Sequence, residues 1–517
     1  MKKKKRLHRF QKFSRRYVMA LLLFLQILLL AAMGFFMMRH KDQGVLFLCI
    51  YVIGAILNVI AVLRILYIHG DPEFKIPWIV ALLAFPVVGF AFYLVFRTRP
   101  LPKRKRLLVE DIQNQVKKYA VAKQGKELAQ EDSYCNAFAL LESSSIFRVH
   151  DGNRIAYFSN GETFFPDFFE KLEKAKEFIF LEFFIVAEGK IFDRIHEILK
   201  RKVEEGVEVR FLYDDVGCFT TLPSDFYKTL QNEGIQCYPF NKVGFLLLGS
   251  YNNRSHRKIA VIDREYAYTG GMNLADEYAN EEERFGYWKD TMIRMEGPVV
   301  RSMIGLFLSD FDLARDGMIS DYDAYMDGEF PSFDGEGLAL AFGTGPENFY
   351  PMRLGEANYI AMINSAKRTI DVSTPYFIPS GELRHALEGA ALRGVRVRLF
   401  LPQIPDKQLP YLIAKYHIPY LLKAGVQVFF FTPGFNHMKT MLVDGCLAFV
   451  GTINMDYRSL VHHFENGVTW KGGSAMKDIA KDFEEMAQVS SRVPMDFSLA
   501  PFQKFLVALV SLFIPLL

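Results

Sequence analysis

The chain has 517 residues, half of them apolar and 15% aromatic, with a formal net charge of +4. That leaves room for two or three domains around a large core and excludes a disordered chain. Nine Lys/Arg and no acid fall in residues 1–16, so the remainder nets −5 against the overall +4 and has no basic character to suggest a nucleic-acid partner.

The five cysteines, Cys49, Cys135, Cys218, Cys237 and Cys446, form no C-x-x-C, which argues against a cysteine zinc site or a disulfide framework. Behind the basic head, Tyr17–Met38 is 22 residues of nearly pure apolar character. A bilayer-spanning helix needs about 20 such residues. No small-x-small cleavage pattern precedes Arg39 and more apolar segments come after it, so the segment does not read as a removed signal. Residues 44–63 and 76–96 are two further candidate spans, the last interrupted by Pro86 and Gly89. Residues 1–106 thus read as a helical transmembrane region of a multi-pass membrane protein. The orientation signals conflict. The basic head favours an inside N-terminus, and three spans then put the rest of the chain outside. Yet Arg97, Arg99, Lys103, Arg104, Lys105 and Arg106 also favour the inside. Either one segment is re-entrant, or one signal is overridden; the second cluster also reads as a headgroup-binding stripe.

Residues 107–150 read as a charged helical neck. From Ile155 the pattern alternates strand and helix, the mark of an α/β fold. Asn160-Gly161 is a turn, Phe164–Lys176 an amphipathic helix and Phe178–Val186 a buried strand. Glu182 is a charge within that apolar strand, facing either an edge or a site. Ile191–Glu205 is a helix ended by Gly206, and strand Val207–Tyr213 comes next. Val243–Leu248 reads as a core strand or as an apolar lip for acyl chains. Residues 151–316 form this first half. Residues 317–351, rich in Asp, Gly and Pro, read as a linker. The second half, residues 352–500, repeats the plan: helix Asn358–Lys367, strand Thr369–Thr374, helix Glu382–Arg393 ended by Gly394, and strand Val395–Leu401. Residues 501–517 are an apolar tail suited to an interface.

Two stretches carry the chemistry. His256-Arg257-Lys258 runs on to Asp263, and His437-Met438-Lys439 runs on to Asp444, the same H-x-K-x-x-x-x-D spacing twice. A glycine turn ending in Asn comes after each, Gly270–Asn273 and Gly451–Asn454. Arg257–Ile262 and Met438–Val443 read as buried strands, on which His and Lys share one face and Asp takes the other. A His beside a Lys suits a phosphate: Lys neutralises an oxyanion while His attacks or donates a proton. The glycine turns can offer backbone N–H groups to the same oxygens. His417, His462 and His463, by contrast, read as core residues, and Tyr376 lies beyond a strand end where a pocket could form.

At these residues the chain resembles the phospholipase D superfamily, whose members pair two such motifs in one active site. With the apolar segments in front, it is similar to the bacterial cardiolipin synthases. The resemblance implies duplicated domains about a pseudo-two-fold axis, with a mixed sheet flanked by helices in each. It implies His256 as nucleophile and His437 as general acid, then base. Lys258, Lys439, Asn273 and Asn454 would hold phosphate oxygens, and Asp290 and Glu465, downstream of the motifs, would orient the histidines. Asp263 and Asp444 belong to the family motif, although a regular strand makes them structural. The implied reaction moves a phosphatidyl group between two phosphatidylglycerols in the bacterial cell membrane, with no cofactor and no metal. A membrane-bound phospholipase D that hydrolyses lipids is the alternative.

Overall fold

The computed structural model describes residues 44–68, 71–85, 89–90, 93–94, 97, 101–120, 134–242, 253–318, 320–333, 337–350, 352–511 and 513–514. The candidate span 17–38 and the run 243–248 lie outside these. The chain divides into two compact units, residues 1–99 with 508–517, and residues 100–507.

In the first unit, a 24-residue helix, Gly44–Tyr67, covers the second candidate span and has Arg64 as its charged residue. Several side chains in its first half lie outside the described residues. Ile53, Ile56, Val59, Ile60 and Leu63 on it are exposed. The third candidate span is not one helix. A 13-residue helix, Pro72–Ala84, stops at Phe85, one residue short of Pro86. Proline disfavours helical backbone in the residue before it and lacks the N–H to continue. Beyond the break the chain folds back on this helix. The Tyr93 ring meets Trp78 edge-on at 5.4 Å, and a Cβ on Gly89 would lie 2.2 Å from the Ala81 carbonyl oxygen. Among the described residues no helix is long and apolar enough to cross a membrane.

The second unit is built on two mixed sheets. The first half supplies strands β1 (Arg154–Phe158), β2 (Phe178–Phe183), β3 (Glu208–Asp214), β4 (Gln236–Phe240), β5 (Ile259–Ile262), β6 (Tyr266–Gly270), β7 (Tyr287–Lys289) and β8 (Met292–Glu296). The second supplies β9 (Leu338–Thr344), β10 (Thr369–Ser373), β11 (Phe377–Ile378), β12 (Arg396–Pro402), β13 (Gln427–Phe431), β14 (Gly434–Asn436), β15 (Thr440–Val443), β16 (Leu447–Gly451), β17 (Met455–Asp456), β18 (Glu465–Lys471) and β19 (Ser490–Arg492). The sheet orders are β1-β8-β6-β5-β2-β3-β4 and β19-β13-β12-β10-β15-β16-β18-β9. Read from the other end, the second repeats the first strand for strand, with β19 added. Each half has a parallel trio (β2, β3, β4 and β10, β12, β13) joined to antiparallel strands that begin with the motif strand, β5 or β15. The duplicated α/β architecture is therefore present.

Local chemistry explains the repeats. Asn160 and Ser380 cap helices Gly161–Glu173 and Gly381–Leu392, their side-chain oxygens accepting N–H from Thr163 and Leu383. Helices Lys190–Glu204 and Gly381–Leu392 are succeeded by Gly206 and Gly394 at φ +88° and +91°, the left-handed turn that favours glycine. Both then enter a strand whose alternate residues are buried on both faces.

Two boundaries differ from the sequence expectation. Residues 317–351 are not merely a linker. They hold helix Tyr322–Met326 and strand β9, which pairs antiparallel with β18 along its whole length as β1 pairs with β8. A short apolar strand among Gly, Asp and Pro is masked by its surroundings. The neck, in turn, is part of the body. Val116 and Tyr119 of helix Lys103–Ala120 join the core with Phe147, Met303 and Ile304, and helix Cys135–Ser144 packs on the second half. The 16-residue helix Val300–Arg315 runs through the middle and touches strands of both sheets. One core joins Phe178, Phe180 and Val261 to Val450, Val468 and Trp470, so the halves share a buried face. Helix Pro501–Ser511 in the tail exposes Phe502, Phe505 and Leu509.

Candidate active site

The halves exchange backbone at the two motifs. Ser255 bridges to Phe464, and β14 pairs with β7. The His256 N–H donates to the Phe464 carbonyl at 2.8 Å, and the His437 N–H to the Lys289 carbonyl at 2.7 Å. Those carbonyls belong to the residues just before Glu465 and Asp290. Each histidine is thereby set beside the acid of the other half. Strand ends fix the motifs from behind. Asp263 and Asp444 both turn at φ +52°. The Asp263 carboxylate accepts N–H from Lys176, Glu177 and Phe178, and that of Asp444 accepts from Lys367, Arg368 and Thr369. Hydrogen bonds to an ionised acceptor contribute roughly 1.5–3 kcal/mol each before exposure reduces them. The structure thus places both aspartates away from the histidines, tying motif strand to neighbouring strand.

The side chains obey the backbone. His256 Nδ1 lies 2.9 Å from Glu465 Oε2, and His437 Nδ1 lies 2.6 Å from Asp290 Oδ2. Both acids are fully buried, and the imidazoles are nearly so. A carboxylate on Nδ1 fixes the tautomer and leaves Nε2 for chemistry. Lys258 Nζ donates to the His256 carbonyl at 2.7 Å. Lys439 Nζ reaches the His437 carbonyl and lies 2.9 Å from its Nδ1. Burial lowers both lysines, Lys258 to about 7 and Lys439 to about 8, with Glu465 and Asp290 offsetting only part of it. Burial also holds His256 well below its ordinary range, reinforced by Lys258 and the neighbouring histidines and Lys439. His437 falls to about 4 through burial and Lys439, while Asp290 pulls it back up. Glu465 is raised to about 8 by burial, against the pull of Lys258. Two buried lysines beside two buried histidines make an environment suited to the anionic oxygens of a phosphodiester.

The turns after the motifs serve the acids. Thr452 Oγ1 donates to Glu465 Oε2 at 2.5 Å. At the matching place in the first half stands Gly271, where a Cβ would lie 2.0 Å from Asp290 Oδ1. The turn N–H groups of Gly271 and Thr452 go to the Thr291 and Asn466 carbonyls, so they are not offered to a ligand. Asn273 has one amide hydrogen and its oxygen in use within the loop. Its Oδ1 accepts the Ile185 N–H and its Nδ2 donates one hydrogen to the Tyr278 hydroxyl. Asn454 keeps a buried Oδ1 with no partner among the described residues.

A second buried layer was foreseen only at Glu182. Arg257, fully buried, donates to Asp310 at 2.6 Å, to the Tyr350 hydroxyl at 2.6 Å and to the Glu465 carbonyl at 3.0 Å. Glu182 sits on a central strand between β3 and β5, not at an edge, and takes the Ser255 hydroxyl at 2.5 Å. The clue was available: Arg257 and Glu182 are charges inside apolar strand patterns. Tyr376 donates to Asp406 at 2.5 Å. His417 lies against Phe377 and Tyr416, a core position. His463 is no remote core residue: its ring centroid lies 5.8 Å from that of His256. His463 and Glu465 stand two apart in extended chain, the spacing that puts two side chains on one face. Among the described residues, His256, His463 and Glu465 alone form a group with metal-ligand spacing, their ligating atoms within 4.8 Å of one another. The buried Lys258 and Lys439 ammonium groups oppose a dication there.

The family model described as cardiolipin synthase, PLD-like domain, matches residues 168–285 and 359–487, and a phospholipase D-nuclease N-terminal model matches residues 56–97. A cardiolipin synthase of a Geobacillus species is 34% identical over 83% of this chain and 85% of its own length. A probable cardiolipin synthase of Bacillus subtilis is 31% identical, covering 81% of this chain and 84% of its own. An uncharacterized protein of Streptococcus mutans is 38% identical, over 81% and 90% respectively. The crystal structure of Haemophilus influenzae phosphatidylserine synthase superposes with a TM-score of 0.57 at 16% identity, covering 75% of this chain and all of that one, which speaks for the fold.

Proposed function

The chain belongs to the cardiolipin synthase family of phospholipase D-like enzymes, and on that premise we propose a two-step course for its reaction. The protein is a phosphatidyltransferase that makes cardiolipin and glycerol from two phosphatidylglycerols. Neutral His256 attacks phosphorus through Nε2, and the bond from phosphorus to the glycerol oxygen breaks. His437 gives that oxygen its proton, leaving a phosphatidyl group on His256. The free hydroxyl of a second phosphatidylglycerol then attacks, His437 takes its proton, and the P–N bond breaks. Lys258, Lys439 and Asn454 carry the phosphoryl charge, while Glu465 and Asp290 stabilise the imidazoles as they become cationic.

One observation carries this reading. Two buried histidines, each on the acid of the opposite half, stand with the two buried lysines of their motifs. Burial leaves both imidazoles neutral, His437 at about 4 despite Asp290, so the assignment of His256 as nucleophile and His437 as acid follows the family pattern, with His437 taking its proton only as substrate binds. Anchoring in a bacterial cell membrane through several spans is part of the proposal. It is supported by the exposed apolar face of helix Gly44–Tyr67 and by the family. Incubation with phosphatidylglycerol as sole lipid tests the function. Cardiolipin and glycerol in equal amounts are expected; phosphatidic acid as main product would assign the chain to the hydrolases.

A further inference from the structure

Glu465 has two oxygens, and the structure accounts for one. Oε2 takes His256 Nδ1 and the Thr452 hydroxyl. Oε1 is buried with no hydrogen-bond partner among the described residues. Its counterpart in the other pair is served: Asp290 Oδ1 accepts the backbone N–H of Thr291 at 2.8 Å. The matching backbone N–H in the second half, that of Asn466, goes instead to Thr452 Oγ1. The pair His256–Glu465 therefore lacks the backbone donor that the pair His437–Asp290 has; the Ser459 hydroxyl, itself unpaired among the described residues, lies close enough to favour the ionised Glu465 but makes no hydrogen bond to Oε1.

His463 faces that gap. It is buried, and its Nδ1 lies 3.8 Å from Glu465 Oε1, itself without a partner among the described residues. Its tautomer is set by the other ring nitrogen. Arg458 Nε donates to His463 Nε2 at 3.3 Å, so Nε2 is the acceptor and Nδ1 carries the hydrogen. A buried donor thus stands beside a buried acceptor at 3.8 Å, somewhat beyond the roughly 3.2 Å long end of hydrogen-bond distances.

We infer that His463 is a positioning residue that acts on His256 through Glu465. Its Nδ1–H closes on Oε1 as His256 gains positive charge, and it holds the carboxylate ionised and aimed at the nucleophile. The first catalytic pair is then a chain of three, His463–Glu465–His256. The charged groups around it are Arg458, His462, Lys258 and Arg254 facing His463, and Lys258 and Asp456 facing Glu465. Burial first, and then the cations, oppose a second proton on His463, so the relay works with His463 neutral, and the carboxylate, which burial raises and Lys258 lowers, gains from one more donor.

The inference rests on the transfer reading above. The test measures release of the leaving glycerol, which reports on His463 whether the acceptor is a lipid or water. Full-length wild type, His463→Ala, His463→Asn and His463→Leu are compared in phosphatidylglycerol vesicles. A lost hydrogen bond to a charged group corresponds to roughly 10- to 100-fold. Ala and Leu should lower kcat by that factor with KM unchanged. They should also move the acid limb of the pH profile upward, because Glu465 loses a donor to its ionised form. Asn, whose amide nitrogen can reach the same oxygen, should restore most of both. Turnover within threefold of wild type in the Leu variant, or an acid limb that does not move, overturns the inference. So does an Asn variant no better than Leu. If Ala is recovered unfolded, the Asn and Leu pair decides alone.

Discussion

Replacing Glu465 by Gln should slow the enzyme through His256 and not through His437, although His437 lies in the same half of the chain as Glu465. The carboxylate stands 2.9 Å from His256 Nδ1. At an effective dielectric of ~20, a unit charge at that distance is worth roughly 6 kcal/mol to a cationic imidazole. Burial raises Glu465 to about 8 against the pull of Lys258, so the carboxylate is only partly ionised near neutral pH and the net loss is well below that figure, about 10²-fold. Gln can also turn its NH₂ toward Nδ1 and select the wrong tautomer, and the corresponding change in the serine-protease triad costs about 10⁴. The expected fall in kcat is therefore about 10²–10⁴. The assay uses a phosphatidyl ester of a nitrophenol, whose leaving group needs no protonation. Glu465→Gln should slow the initial burst of nitrophenol. Asp290→Asn, which disables the proton donor, should leave the burst intact and block later turnover. A loss under about fivefold, or a burst lost in Asp290→Asn and kept in Glu465→Gln, would refute the crossed pairing.

Three further outcomes are expected. Gly271→Ala should abolish turnover, since its Cβ would lie 2.0 Å from Asp290 Oδ1 and push the carboxylate off His437; normal kinetics in a folded variant would show that the acid can move. The pH profile should show an alkaline limb in kcat/KM between about pH 7 and 8, where the buried Lys258 and Lys439 lose charge as pH rises. A bound phosphate anion raises both lysines, so the limb in kcat should lie higher; coincident limbs would remove the lysines from the phosphate site. Strong chelators should leave the purified enzyme active. Loss of activity restored by a divalent ion would assign a metal to the His256, His463 and Glu465 group, once clustering of anionic lipid is excluded.

What could be read in advance depends on range. The repeat of His256-x-Lys258 in His437-x-Lys439 and the helix–Gly–strand units at Gly206 and Gly394 are local patterns, and they locate the elements within a few residues. The strands proper begin only at Ile259 and Thr440, because His256–Lys258 and His437–Lys439 are drawn out of the sheets to meet the opposite half. Which acid serves which histidine is a fact of tertiary pairing, Ser255 on Phe464 and β14 on β7, and no spacing encodes it. Strand β9 was hidden by turn-rich neighbours. His463 was legible in principle from its place two residues before Glu465, yet its meaning needed the unfilled oxygen. Pro86 marked a break that spanning helices tolerate, and here it ends the helix.

The most direct measurement locates the covalent intermediate. His437→Ala is mixed with the nitrophenyl ester carrying labelled phosphate, quenched, digested and mapped. The account predicts acid-labile label at close to one per chain, on the peptide that contains His256. Label on another residue, or none while nitrophenol is still released in a burst, would contradict a two-step transfer through His256.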